Sequence, residues 1–150
     1  MPQSFASLHY HLIFSTKNRV LLLTDDLSNR LYPYVGGILR AENGALVAAG
    51  GMPDHVHLLV SLGRESSLSD VLRQIKGSSS RWIHETFPDL RGFAWQAGYA
   101  AFAVSYSHID RVKKYIENQS DHHRTVTFQE EFLAFLRRHE IEFDERYLWD

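Results

Sequence analysis

Two pairs of polar residues have types and spacings that suit metal-assisted attack by a nucleophile. His55 and His57 are two apart in a run rich in valine and leucine, so both imidazoles project from one face if this run is a strand. Tyr115 and Gln119 are four apart in a stretch with helical periodicity, which places them on one helix face. Two imidazoles and an amide oxygen can hold a metal ion, and a tyrosine hydroxyl beside that ion can attack a phosphodiester.

Each pair also has a purely structural interpretation. Two histidines on a half-exposed strand can simply bond to neighbouring side chains, and the pair His9 and His11 has the same spacing. Tyr115 suits the boundary of an amphipathic helix, with its ring packed and its hydroxyl exposed. His55 differs from the rival pair because it directly follows a Gly-Met-Pro-Asp turn, and functional side chains are often exposed at such positions.

Charged residues beside the two pairs extend the candidate site. Asp54 precedes His55 and has three interpretations: an acceptor that fixes the tautomer of a metal-binding histidine, a further ligand, or a turn residue with a local hydrogen bond. Arg111, Tyr115 and Gln119 form a row with a spacing of four residues. This row adds a cation for phosphate to the nucleophile and the amide ligand.

The composition indicates a single globular domain spanning residues 1–150. The hydrophobic fraction is 44% and the charged fraction is 23%, which is ordinary for a domain with a buried core. The absence of cysteine excludes disulfides, thiolate metal sites and cysteine nucleophiles. No apolar run approaches the length of a membrane span, and the first residues lack a signal-peptide pattern. We therefore expect a cytoplasmic protein with no membrane partner.

The net charge of −2 conceals an asymmetry along the chain. Residues 1–116 contain 12 basic and 9 acidic residues, whereas residues 117–150 contain 4 basic and 9 acidic residues. Binding to a phosphate backbone depends on where positive charge lies rather than on its total. The mildly basic body is therefore compatible with a nucleic-acid partner, and chance surface charge explains the asymmetry equally well.

Alternating polarity and capping signals predict the elements that must position these residues. Strands are predicted over residues 5–16, 45–50, 55–62, 93–96 and 99–105, the last two as a hairpin around Ala97-Gly98. Helices are predicted over residues 24–42, 67–87, 108–120 and 127–139, with capping boxes at Ser67, Ser107 and Thr127. The order β-α-β-β-α-β-β-α-α predicts an α+β, ferredoxin-like fold. Its mostly antiparallel sheet is covered by helices, and C-terminal helices carry the tyrosine.

Seven segments, spread over nearly the whole chain, match the motifs of a known family in the same order. They are residues 11–17, 52–60, 75–81, 95–99, 102–105, 115–119 and 143–149. Through these segments the sequence resembles the IS200/IS605-type transposases, which are small HUH enzymes with a single catalytic tyrosine. The set as a whole is highly specific, although the histidine pair alone is not.

The resemblance implies a role for each key residue. His55, His57 and Gln119 match the family's metal ligands, and the ion would be Mg²⁺ or Mn²⁺. Tyr115 matches the nucleophile, which would attack single-stranded DNA, form a 5′-phosphotyrosine link and free a 3′-hydroxyl. Family members recognise hairpins at the ends of their element and act as homodimers, in some of which the tyrosine helix of one subunit completes the histidine site of the other. When bound to DNA, the protein would associate with the nucleoid.

Basic residues elsewhere in the chain are candidate DNA contacts. They are Lys17, Arg19, Arg73, Lys76 and Arg81, together with Arg111. Those at positions 73, 76 and 81 flank a Gly-Ser-Ser-Ser segment, whose hydroxyl and backbone donors suit phosphate.

Three other functions are compatible with parts of this pattern. A domesticated relative would act as a nuclease on repeated hairpins without moving its own gene. A catalytically silent nucleic-acid-binding module would use aromatic side chains as base-stacking platforms and would not need Tyr115. A structural metal site or a zinc hydrolase is disfavoured by the lack of cysteine and of a recognisable third histidine or carboxylate ligand.

Overall fold

A four-stranded antiparallel sheet with helices on both faces forms the computed structural model, which describes residues 2–150. The strands are β1 (His9–Ser15), β2 (Ala45–Met52), β3 (His55–Ser61) and β4 (Ala100–Val104), in the spatial order β2-β3-β1-β4. The α-helices are α1 (Asp25–Ala41), α2 (Leu68–Thr86), α3 (Ile109–Glu117), α4 (Gln119–His122) and α5 (Phe128–Arg138). The predicted α+β class with an antiparallel sheet is confirmed.

Within residues 2–150, no helix has both the length and the apolar character needed to cross a bilayer.

The central strands send successive side chains to opposite faces of the sheet. Leu12, Phe14 and Val56 belong to the larger core cluster, which α1 and α2 cover. Ile13 instead packs with the aromatic residues of α5. His57 lies directly opposite Ile13 in the register between β1 and β3. Because residues opposite each other in an antiparallel pair share a face, the histidine pair belongs to the face that α3 and α5 cover.

Of the predicted second hairpin, over residues 93–105, the strand at 99–105 is confirmed as β4, but the strand at 93–96 and the pairing between the two are wrong. Trp95 makes only an isolated bridge with Thr16, and β4 pairs with β1 instead. The turn between them makes hydrogen bonds to other parts of the chain. Lys76 donates to the Gly98 carbonyl at 2.8 Å, and the Gly98 N–H donates to a carbonyl oxygen of Asp150 at 2.9 Å. The aromatic character of this segment reflects burial of the Trp95 ring in the larger core cluster rather than strand pairing.

The predicted helix over residues 108–120 is divided in two. Asn118 has φ −101° and ψ 23°, and it separates α3 from the single turn of α4. The capping box predicted at Ser107 does not form, since His108 is the N-cap and makes no capping hydrogen bond through its side chain. The helix that carries the tyrosine is therefore short and depends on packing against the sheet.

A glycine on β2 allows α3 to approach the sheet closely. A methyl group added at Gly50 would lie 2.3 Å from the Ile116 carbonyl oxygen, which is far inside van der Waals contact. Gly50 also pairs with His57 across β2 and β3. The missing side chain therefore sets the distance between the histidine strand and the helix that carries Tyr115.

We expect Gly50→Ala to lower the free energy of unfolding by about 1–3 kcal/mol, because the added methyl group must push α3 away from the sheet. Urea denaturation followed by circular dichroism measures this change. Gly77→Ala is the matched control, since Gly77 lies within α2 and an added methyl group there meets no neighbouring atom within 4 Å. The control should gain about 0.5–1 kcal/mol from helix propensity. Equal stability of Gly50→Ala and the unsubstituted protein would contradict a close approach at this point.

Candidate active site

Strand β3 presents the two predicted histidines side by side, and both are buried. Nδ1 of His55 donates to a carboxylate oxygen of Asp54 at 2.7 Å. Nδ1 of His57 lies 2.8 Å from Nε2 of His11. These contacts leave both Nε2 atoms facing groups from α4 and α5. The two members of the other histidine pair, His9 and His11, have different surroundings. His11 lies behind His57, while His9 lies near Tyr106 at the other end of β1.

The tyrosine and the glutamine converge on this histidine pair despite the break at Asn118. The Tyr115 hydroxyl donates to Oε2 of Glu131. Gln119 donates to the same carboxylate oxygen through Nε2 at 3.1 Å. The other end of the Gln119 amide, Oε1, lies 3.2 Å from Nε2 of His55. The structure therefore brings all four key residues predicted from the sequence into one cluster within one chain.

A carboxylate that sequence reasoning missed, Glu131 of α5, lies at the centre of this cluster. Its Oε1 atom is 2.9 Å from Nε2 of His57, 3.3 Å from Nε2 of His123 and 3.7 Å from Nε2 of His55. Its Oε2 atom lies 3.0 Å from Nε2 of His122. The carboxylate is buried, with an exposed fraction of 3%.

The sequence contains a trace of this carboxylate, although it does not identify the partners. The capping box predicted at Thr127 forms with Glu130 and starts α5 correctly. Phe128, Phe132 and Phe135 follow at spacings of four and three, so they define the packing face of the helix. Glu131 falls among them on that face, and an acidic residue on an apolar helix face usually has a specific partner.

Burial and hydrogen bonds set the charges in the cluster. Burial lowers the pKa of His57 to about 4, although Glu131 acts in the opposite direction. Burial, together with His57, lowers the pKa of His11 to about 3. Burial acts to raise the pKa of Glu131, but hydrogen bonds from His57, Tyr115 and Gln119 lower it further than burial raises it. Burial and Glu131 raise the pKa of Tyr115. At neutral pH His57 and His11 are therefore neutral, Glu131 is charged and Tyr115 is protonated.

The donor atoms of the cluster fit a metal ion in both type and distance. One ligand atom from each of His55, His57, His123 and Glu131 lies within 4.8 Å of all the others. With metal–ligand bonds of about 2.1 Å, neighbouring ligands of an octahedral ion lie about 3 Å apart, close to several of the distances given above. Gln119 adds an amide oxygen at the same place. The fold thus supplies a third histidine, His123, and a carboxylate, Glu131, and the expectation that the chain lacks such ligands was wrong.

A cleft of about 330 Å³ leads to the tyrosine. Arg111, which the sequence placed in a row with Tyr115, lines this cleft together with Arg138 of α5. Two carboxylates, those of Glu130 and Glu131, line the same cleft.

The remaining basic residues predicted to contact DNA lie apart from this cluster. Arg73, Lys76 and Arg81 belong to α2, which covers the opposite face of the sheet. Arg73 pairs with an exposed Asp70 at 2.8 Å, and Lys76 holds the turn at residues 97–98. Lys17 and Arg19 lie in the 3₁₀ turn after β1, where the Arg19 guanidinium is 5.4 Å from the centroid of the Trp149 ring.

An antiparallel sheet with a buried histidine pair on a central strand, and a tyrosine on a helix that covers the same face, is the arrangement of the HUH fold. The model of the family described as "Transposase IS200 like" matches residues 4–119. The chain belongs to this family, which confirms the resemblance and the predicted class of DNA transposases. Residues 120–150, including His123 and Glu131, lie beyond the matched segment.

Named relatives and solved structures agree with this family. The ISDra2 transposase TnpA of Deinococcus radiodurans is 33% identical over 120 residues, which cover 76% of this chain and 85% of the relative. The transposase for insertion sequence element IS200 of Salmonella typhimurium is 29% identical over 120 residues, which cover 73% of this chain and 75% of the relative. The crystal structure of a candidate transposase from Deinococcus radiodurans R1 is 32% identical with a TM-score of 0.65, over 79% of this chain and 98% of the other. A REP-associated tyrosine transposase bound to a REP hairpin shares the fold with a TM-score of 0.62 at 18% identity. The match covers 84% of this chain and 74% of the other.

We expect Asp54→Asn to weaken Mn²⁺ binding by about 10–100-fold, because the carboxylate holds the His55 ring and directs its Nε2 lone pair. Calorimetric titration of the DNA-free protein with Mn²⁺ measures this affinity. Asp89→Asn, in an exposed 3₁₀ turn after α2, removes the same charge away from the cluster and should bind Mn²⁺ normally. Normal affinity in Asp54→Asn would instead support a local turn role for this residue.

Proposed function

We propose that this protein cleaves and rejoins single-stranded DNA through a 5′-phosphotyrosine intermediate on Tyr115. The observation that carries the proposal is the convergence of Tyr115, Gln119 and the histidine pair on one carboxylate within a single chain. Membership of the transposase family supports DNA as the substrate. We further propose that residues 1–150 act as one transposase domain.

The proposed cleavage starts with the hydroxyl oxygen of Tyr115 attacking the phosphorus atom of a phosphodiester. A bond forms between the tyrosine oxygen and phosphorus, and the bond from phosphorus to the 3′ oxygen breaks. The tyrosine proton leaves along its hydrogen bond to Glu131, and the 3′ oxygen takes up a proton from water. Arg111 and Arg138 offset phosphate charge in the cleft. The phosphotyrosine link conserves the bond energy, so rejoining to another 3′-hydroxyl needs no external energy source.

In this proposal His55, His57 and Gln119 hold a divalent metal ion, Mg²⁺ or Mn²⁺. When bound, the ion polarises the target phosphate and stabilises the charge that develops on it. Asp54 and His11 orient the two histidine rings through their Nδ1 atoms.

The proposed nucleic-acid partner is single-stranded DNA that contains hairpins. One structural neighbour, itself bound to a REP hairpin, motivates this choice. A groove between α2 and residues 94–99, lined by Arg73, Lys76 and Tyr99, offers cations and an exposed ring to such a partner. We also propose a homodimer as the working assembly. Because the tyrosine and histidines of one chain already meet, each subunit of that dimer would hold its own complete site.

We expect Tyr115→Phe to abolish covalent attachment of single-stranded DNA while leaving hairpin binding nearly unchanged, because the substitution removes only the attacking oxygen. The measurement is incubation with Mn²⁺ and single-stranded DNA from the flanks of the gene, followed by a denaturing protein gel. The unsubstituted protein should give a DNA-shifted band that the variant lacks.

Tyr106→Phe is the matched control for this experiment, since Tyr106 is 78% exposed in the 3₁₀ turn before α3. It should form the covalent band normally. A shifted band in Tyr115→Phe would assign the nucleophile to another residue. Hairpin binding without any covalent band in the unsubstituted protein would favour a silent binding module.

A further inference from the structure

We infer that α5 supplies Glu131 as a further ligand of the metal site. This inference rests on the proposed metal-dependent function and adds a carboxylate to it. Glu131 lies outside residues 4–119, to which the family match is confined. The family pattern therefore does not assign it, and the assignment comes from the geometry of this chain.

The two oxygens of this carboxylate face different partners. Oε1 faces the Nε2 atoms of His57, His123 and His55, at 2.9, 3.3 and 3.7 Å. These nitrogens are the atoms through which the histidines would bind an ion, because Nδ1 of His55 and of His57 already has a partner. Oε2 instead accepts hydrogen bonds from Tyr115 and Gln119. One side chain thus joins the metal donors to the nucleophile.

Packing holds the carboxylate in this position. Phe128 stacks on the His55 ring with centroids 4.4 Å apart, and Phe132 is buried with it in the core on this face of the sheet. The complete capping box at Thr127 fixes the first turn of α5. Glu131 therefore reaches the cluster from a capped helix that packs against the sheet, which suits a metal ligand.

The chemistry of the proposed ion favours this addition. Mg²⁺ and Mn²⁺ prefer oxygen donors, and a site with only neutral imidazole and amide ligands offers them no negative charge. A buried carboxylate supplies that charge at the point where the imidazoles meet. The carboxylate also provides the opposite charge that a buried cation needs.

We test the inference with Mn²⁺ alone, titrated into the DNA-free protein and followed by the electron paramagnetic resonance signal of free Mn²⁺. Glu131→Gln keeps the shape of the side chain and removes its charge, so its affinity should fall at least about tenfold. Glu130→Gln is the matched control, because Glu130 is the exposed neighbour on the same helix and glutamine also suits a capping box. The control should bind like the unsubstituted protein.

A second variant keeps the test decisive if Glu131→Gln does not fold, which circular dichroism would show. Glu131→Asp retains the charge on a shorter side chain and should bind Mn²⁺ more tightly than Glu131→Gln. If Glu131→Gln does not fold, Glu131→Asp should still show measurable Mn²⁺ binding. Undiminished affinity in Glu131→Gln would overturn the ligand role of Glu131 while leaving the proposed function intact. An unsubstituted protein that binds no Mn²⁺, yet forms the tyrosine adduct in excess EDTA, would overturn the metal site altogether.

Discussion

The buried carboxylate of Glu131 is the interaction on which the arrangement of this site depends. A charge removed from water is strongly unfavourable unless donors surround it. Here the donors come from separate elements: His57 from the sheet, Tyr115 from α3, Gln119 from α4 and His123 from the segment that follows. Because each donor satisfies the same group, α3, α4 and α5 must settle on the sheet in mutually consistent positions. The short helices around the site gain from this shared partner an order that their length alone would not give.

The sheet contributes the fixed side of the arrangement. β3 is paired on both edges, by β1 and by β2, so its register directs His55 and His57 to one face without freedom to slip. Gly50 on β2 lets the backbone of α3 approach the sheet closely at Ile116, the residue directly after Tyr115. The distance between Tyr115 and the histidines is thus determined by backbone contacts, which tolerate less variation than side-chain packing.

Periodicity and capping signals predicted the features of this molecule that depend on residues close together in the sequence. The α+β class, the histidine strand and α5 followed from alternation and capping signals. The strand predicted at residues 93–96, and with it the hairpin, was wrong because apolar residues that pack in a core can show the same local pattern as a strand. Glu131 was missed for a different reason: its partners are 74 and 16 residues away, at His57 and Tyr115. No local pattern reports such a contact, although a carboxylate on an aromatic helix face is its trace in the sequence.

The acidic C-terminal segment shows why charge counted along a chain is a poor guide to charge at a site. Residues 117–150 carry an excess of acidic residues, which taken alone argues against a DNA partner. One of those acids, Glu131, is enclosed by imidazoles and hydroxyl and amide donors rather than presented to solvent. The same helix ends with Arg138, which lines the cleft beside Tyr115 together with Arg111 from α3. The local field around Tyr115 is therefore set by these arginines and by Glu131 rather than by the sum over the segment.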